Sequence, residues 1–213
     1  SADLRPGGRG APLPRSFYLP SALVVARALL GARLVRVLPG GARLSGRIVE
    51  AEAYTGLDDL ASHGRVKPTK RNLPMYGPPG HAYVYFTYGN YWMFNVVCQP
   101  EGDPAAVLVR AIEPLEGLDE MAARRPDRPP HEWTSGPAKL VLALGISGAD
   151  NTLDLTTTVN NLWIEPGEAI PDEQVRTGPR VGMGQTPEPW HSIPWRWWVA
   201  GNHFVSRGSG KLG

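Results

Sequence analysis

Glycine and proline punctuate this chain so densely that its fold must be assembled from short elements joined by many turns. Gly (25) and Pro (22) are spread through 213 residues, and both interrupt regular structure. Between these breaks the hydrophobic periodicity alternates between helix and strand. Ser21 caps a helix over Ala22–Leu30 that stops at Gly31. Ala32–Leu38 and Ala42–Tyr54 read as strands joined across Pro39-Gly40-Gly41. Leu57–His63 is a candidate short helix within the polar connection Thr55–Pro79. Tyr83–Cys98 reads as a hairpin with Gly89-Asn90 at its tip. Ala105–Ile112 is another strand, and Leu115–Ala123 a helix. Pro137 opens a helix that ends near Gly145. Asn161–Glu165, Arg180–Gly182 and Arg196–Arg207 complete the strands. The expected class is α+β: one compact domain with a mixed or antiparallel curved sheet, flanking helices and a protruding β-hairpin. It should span residues 16–207, between a flexible arm at 1–15 and a flexible tail at 208–213.

The segment Arg47–Tyr54 reads R-I-V-E-A-E-A-Y. Strand alternation places Val49, Ala51 and Ala53 on one face and Glu50, Glu52 and Tyr54 on the other. The first face suits packing. The second is either an ordinary solvated surface or one wall of a cleft. Carboxylates two residues apart lie roughly 6.5–7 Å apart along a strand. At that range each raises the other's pKa, which favours general-base chemistry.

Tyr83, Tyr85, Phe86, Tyr88, Tyr91, Trp92 and Phe94 crowd the hairpin, although aromatics make up only 8% of the chain. Most suit a core. Tyr88 and Tyr91 flank the turn and suit a core least; Tyr88, beside the tip, gains little from folding there and can wedge between stacked bases. Arg65, Lys67, Lys70 and Arg71 make the long connection basic, fit either for a phosphate backbone or for solvent. Ser135-Gly136-Pro137-Ala138-Lys139 offers free N–H groups and a lysine at a helix start. Arg110 stands in an otherwise apolar strand and needs an anionic partner.

A net charge of +2 is too small for bulk attraction to nucleic acid, so any such contact must rest on a local patch. The lone Cys98 excludes an intrachain disulfide and cysteine-rich zinc sites. The five histidines lack zinc-like spacing, and no glycine-rich phosphate loop precedes a helix. Neither a metal nor a cofactor is expected. No apolar stretch is long enough to span a membrane, and no signal peptide is visible. An intracellular protein is expected: cytoplasm or nucleoid in a bacterium, nucleus in a eukaryote.

Taken together, these segments resemble the alkyladenine (3-methyladenine, methylpurine) DNA glycosylase family. The matching stretches are R-I-V-E-A-E-A-Y at Arg47–Tyr54, A-S-H at Ala61–His63, Y-V-Y-F-T-Y-G at Tyr83–Gly89, Asn95, V-L-V-R-A-I-E-P-L-E-G at Val107–Gly117, and S-G-P-A-K-L at Ser135–Leu140. The resemblance implies a monofunctional, monomeric glycosylase acting on double-stranded DNA that contains damaged purines, alkylated or deaminated. Glu52 would be the general base, with Arg110 and His63 holding the attacking water. Tyr54, His63 and Tyr85 would stack on the flipped base, and Asn95 would form the pocket floor. Tyr88 would intercalate. Lys139, Arg65, Lys67, Lys70 and Arg71 are weaker candidates for backbone contacts. Asn90 departs from the apolar residue expected at the hairpin tip.

Two other functions fit parts of the pattern. A non-catalytic module for damaged DNA or structured RNA would use the rings and basic loop without Glu52. A hydrolase of sugars or free nucleosides would use Glu50 and Glu52. One geometric demand tests the pocket roles. A two-residue Gly89-Asn90 turn would put Tyr85 and Asn95 on opposite faces. If both line one pocket, the turn must be odd in length or carry a bulge that brings Tyr85 opposite Asn95.

Overall fold

The computed structural model describes residues 10–87 and 90–208. Eight strands form one sheet: β1 (Arg33–Val37), β2 (Arg43–Tyr54), β3 (Ala82–Phe86), β4 (Trp92–Cys98), β5 (Ala105–Glu116), β6 (Leu162–Glu165), β7 (Val175–Gly178) and β8 (Arg196–Val199). The order is β3-β4-β5-β2-β1-β6, and β8 joins β7 to the same sheet through β2. Every strand pairing among the described residues is antiparallel. One edge of β2 is shared, with β1 along Arg43–Arg47 and β8 along Glu50–Glu52.

Strand alternation gives the sheet two different faces. Val49, Ala51, Ala53, Phe94, Val96, Val107 and Val109 belong to the main core. Three helices pack there: α1 (Ala22–Leu29) against β2 and β5, α3 (Pro137–Leu144) against β4 and β5, and α2 (Leu118–Arg124) against α3 and β2. Val25 and Leu29 of α1 and Leu140 and Leu144 of α3 are buried, each contributing about 1.5–3 kcal/mol of apolar transfer. The opposite face carries a smaller cluster of Met75, Tyr83, Val97 and Ala106, with Tyr85 packed against it. Loops and the short 3-10 turn Leu73–Tyr76, rather than α-helices, cover that face, and it holds the cavity described below.

Ser21 caps α1 by accepting from the Val24 N–H. Gly31 follows at φ +91°, and a Cβ there would lie 2.1 Å from the Glu168 carbonyl, so the chain can turn into β1 only with glycine.

Several boundaries differ from the sequence reading. β5 runs to Glu116, because that carboxylate accepts from Arg43 and Ser45 across the ladder. α2 therefore starts at Leu118 rather than Leu115. Leu57–His63 is not a helix. The Asp59 carboxylate accepts from the Thr55 and Ala61 N–H groups, a side-chain alternative to helical bonding. A single 3-10 turn follows at His63–Arg65. Arg180–Gly182 is irregular, and the strand lies earlier, at Val175–Gly178. β8 stops at Val199 and gives way to turns. Within the expected flexible arm, Leu13 is buried and its N–H donates to Ile164, so residues 10–15 are docked. The rest of that arm, residues 1–9, and the tail beyond Gly208 lie outside the described residues.

The hairpin has the required parity. Tyr83 faces Asn95, Tyr85 faces Met93 and Phe86 faces Trp92. The Thr87 N–H donates to Tyr91, which leaves three residues between them. Tyr85 and Asn95 thus share a face, but Tyr85 is opposite Met93 rather than Asn95.

β2 and β5 also meet tightly at Gly46, where a Cβ would approach the Ile112 side chain to 2.6–3.0 Å. Ile112 is fully buried and cannot swing away. Gly46→Ala is expected to lower stability by about 1–3 kcal/mol through overpacking, read as a reduced urea midpoint with an unchanged slope.

Candidate active site

One transverse row of the sheet forms the floor of the site. Tyr83 faces Asn95, Asn95 faces Leu108, and Leu108 faces Glu52. Asn95 and Glu52 are two strands apart, roughly 10 Å at ordinary strand spacing. Above this row lies a cavity of about 230 Å³, walled by Tyr54, His63, Tyr85, Met93, Arg110 and Met183 among others. Three of the chain's four methionines, Met75, Met93 and Met183, line it. Their unbranched, polarizable side chains give the aromatic walls an adaptable lining.

Two opposed irregularities aim the charged groups. Ile48 faces Ile112 but Glu50 faces Ala111, so Val49 is an extra residue on β2. Ala51 then faces Val109, so Arg110 is an extra residue on β5. Such bulges redirect side chains. Arg110 Nε donates to Glu50 at 2.9 Å, and its Nη1 reaches Glu52 at 3.5 Å.

The two carboxylates are not on a solvated face: Glu50 and Glu52 are each 0% exposed. Glu50 is saturated. It accepts the Ser206 N–H at 2.7 Å and hydroxyl at 2.8 Å, besides Arg110 and, at 3.5 Å, Arg196. Glu52 accepts the Tyr54 hydroxyl at 3.0 Å and the Val181 N–H at 2.6 Å, and it alone of the pair borders the cavity. Burial raises the Glu52 pKa above the ordinary carboxylate value, against the lowering by Arg110, the Val181 N–H and Tyr54, with Glu50 adding to the rise.

His63 donates to or accepts from the Tyr83 hydroxyl at 3.1 Å, and its ring meets Tyr85 edge-on at 4.5 Å. Burial lowers its pKa, and Arg71 and Arg65 lower it further, which favours the neutral imidazole. Burial also pushes Tyr85 up to about 12. Asn95 is buried and donates to the Tyr83 carbonyl at 3.1 Å.

The structure thus gathers Glu52, Tyr54, His63, Tyr85, Asn95 and Arg110 around one cavity. It does not place the basic candidates there. Arg65 and Arg71 border a second cavity of about 360 Å³ on the far side of His63. Arg71 donates to the Phe86 carbonyl and covers the Tyr85 ring at 5.6 Å. Lys67 and Lys70 are exposed beside it. Lys139 sits elsewhere, at the start of α3. Burial lowers its pKa, with Arg125, Arg128 and Arg207 adding and Glu132 opposing. Tyr88 lies outside the described residues.

Sequence reasoning missed Val181, Ser206, Asp59 and Arg180. The first two act largely through backbone N–H groups, which have no signature in residue type. Asp59 and Arg180 are an ordinary loop acid and base until the fold joins them.

The Glu50 sites are structural in character. Glu50→Ala is expected to cost about 3–5 kcal/mol, as for any buried pair broken from one side. Chemical denaturation measures it, and a loss below 1 kcal/mol would contradict the saturated geometry.

The profile of the methylpurine-DNA glycosylase family matches residues 16–203. A Burkholderia lata protein assigned by name as a 3-methyladenine DNA glycosylase is 43% identical over 205 residues, covering 96% of this chain and 95% of that one. Proteins of the same assigned name from Myxococcus xanthus and Salinibacter ruber are 48% and 45% identical. They cover 92% and 93% of this chain and 94% and 98% of their own.

Proposed function

Because the chain belongs to the methylpurine-DNA glycosylase family, we propose that it removes damaged purines from DNA by hydrolysis at a water activated by Glu52. The chain is a 3-methyladenine DNA glycosylase, a hydrolase of N-glycosyl bonds. The observation that carries the finer reading is the buried Glu52 at one end of an aromatic cavity, with Asn95 at the other end of the same sheet row.

The lesion nucleotide rotates out of the duplex at a cost of about a few kcal/mol, least for weakly paired or damaged bases. Tyr88 takes its place in the stack. The base enters the cavity between Tyr54, His63 and Tyr85. Alkylated purines such as 3-methyladenine are cationic and stack favourably on aromatic faces. A protonated imidazole would repel them, so the lowered pKa of His63 suits this wall. Asn95 crowds the amino group that normal guanine carries. Deaminated purines such as hypoxanthine enter the same space as neutral bases.

At the other end the glycosidic bond breaks with oxocarbenium-like character. The Glu52 carboxylate stabilises the developing positive charge and takes a proton from water, whose oxygen bonds to the sugar carbon as the purine leaves. Arg110 holds that water, with His63 on its far side. Among the described residues lining the cavity none is lysine, which favours direct hydrolysis to an abasic site over a Schiff base. The basic loop at Arg65, Lys67, Lys70 and Arg71, and Lys139 on α3, hold the phosphate backbone.

Glu52→Gln is expected to retain lesion-DNA binding and to lose excision by at least about a hundredfold, the lower range for general-base catalysis. Single-turnover cleavage of 3-methyladenine DNA, scored as alkali-labile abasic sites, measures it. Normal excision by this variant would remove Glu52 from the base role.

The pH dependence follows from the raised Glu52 pKa. The charged form is the active base, so excision is full above the folded-state pKa and falls as pH drops through it. The acid limb should therefore lie above pH 4.5, the ordinary value for the group. A limb at or below that value in single-turnover rates would contradict the assignment.

A further inference from the structure

Behind Glu52 stands an ion pair that the proposed chemistry does not use. Asp59 and Arg180 are both fully buried, and Arg180 donates through Nη1 and Nη2 to the two carboxylate oxygens at 2.6 and 3.0 Å. The same nitrogens donate to the Ala53 carbonyl at 3.1 Å and the Trp190 carbonyl at 3.3 Å. The guanidinium lies 4.8 Å from the Tyr54 ring and 5.2 Å from the Trp195 ring. Asp59 in turn holds the Thr55 and Ala61 N–H groups. One planar cation therefore ties the end of β2, the loop carrying Ala61 and the loop beginning at Pro179. A guanidinium suits this role because its fork is rigid and its faces stack. The next residue is Val181, whose N–H donates to Glu52 Oε2 at 2.6 Å.

We propose that Asp59 and Arg180 are positioning residues for the reaction: they fix the Val181 N–H against Glu52 and the Tyr54 ring against the cavity, and so set the orientation and charge of the base. β7 ends at Gly178, so no ladder continues through Pro179–Met183; the Asp59–Arg180 pair holds it together with Arg196 of β8, whose Nε donates to the Pro179 carbonyl at 2.8 Å. The inference rests on the reading of Glu52 as the base.

The sign of its effect is fixed. An N–H donated to a carboxylate favours the charged form. Losing it raises the Glu52 pKa, and excision then fails at a higher pH. The groups facing Glu52 are Glu50 and Tyr54 on β2, Arg110 on β5, Tyr85 on β3 and Arg196 on β8. All remain in the variants below, and Arg180→Lys also conserves the charge behind Tyr54, so a limb moved in that variant reports the Val181 contact.

Arg180→Lys keeps the charge and loses the fork and the stack. Asp59→Asn keeps the shape and loses the charge. For either variant that retains the wild-type near-ultraviolet circular dichroism, lesion-DNA affinity should stay within about twofold. Single-turnover excision should fall about tenfold in either, and in Arg180→Lys, where net charge is unchanged, the acid limb should move up by about one pH unit, the worth of one charge-assisted hydrogen bond. A wild-type limb in folded Arg180→Lys overturns the proposal. A measurement on the wild-type protein needs no variant to fold: the Val181 amide resonance should titrate with the midpoint of the acid limb, and an amide indifferent to pH there also overturns it. Normal excision by Glu52→Gln would instead remove the base reading beneath it, so the two failures are distinguishable.

Discussion

The buried pairing of Arg110 with two carboxylates is the constraint on which the rest of the site depends. A lone carboxylate removed from water is costly, and its attraction to a cation offsets this only when the remaining lone pairs are also filled. Arg110 supplies charge to Glu50 and Glu52 at once. Ser206, Tyr54 and the Val181 N–H fill what remains. The two acids end in different states. Glu50 has all its capacity used within the protein, while Glu52 keeps one side toward the cavity. That difference separates a structural acid from a reactive one on the same strand face.

Desolvation has a second effect. Water excluded from Glu52 cannot screen it, so its field acts strongly on whatever enters the cavity. A cationic purine and a sugar acquiring positive charge both lie in that field. The walls of His63, Tyr85 and the methionines do not offset it; Arg110, which also lines the cavity, does so in part. The three α-helices line no part of the cavity: they pack on the opposite face of the sheet.

Much of this was legible in the sequence, for physical reasons that differ by residue. Alternation in R-I-V-E-A-E-A-Y correctly divided the core face from the acidic face. The parity argument at the hairpin, which required an odd-length turn or a bulge, was right that Tyr85 and Asn95 share a face, because alternation has a period of two, and wrong in pairing them directly. The burial of Glu50 and Glu52 was not legible. It is produced by Val181 and Ser206, which lie 129 and 156 positions further along the chain and act through backbone donors. The strand expected at Arg180–Gly182 failed for a related reason: its arginine is claimed by Asp59, 121 positions away, and the backbone follows the ion pair rather than a ladder. Likewise the helix expected at Leu57–His63 yielded to the same Asp59, which takes the N–H groups the helix would have used.

The paired irregularities in β2 and β5 have a wider consequence. An unbalanced extra residue would shift the phase of everything beyond it, turning core side chains outward along the rest of the strand. Here Val49 advances one strand and Arg110 advances the other, so the two offsets annihilate within a few residues. Ile48 and Ala51 both keep the same pairing sum with β5. The defect behaves like a closed dislocation pair in a crystal, with distortion inside it and regular pairing beside it, from Gly46 to Ile48 on one side and from Ala51 to Tyr54 on the other. The reactive centre can therefore depart from regular geometry while the two halves of the ladder, and the core beneath them, remain in step.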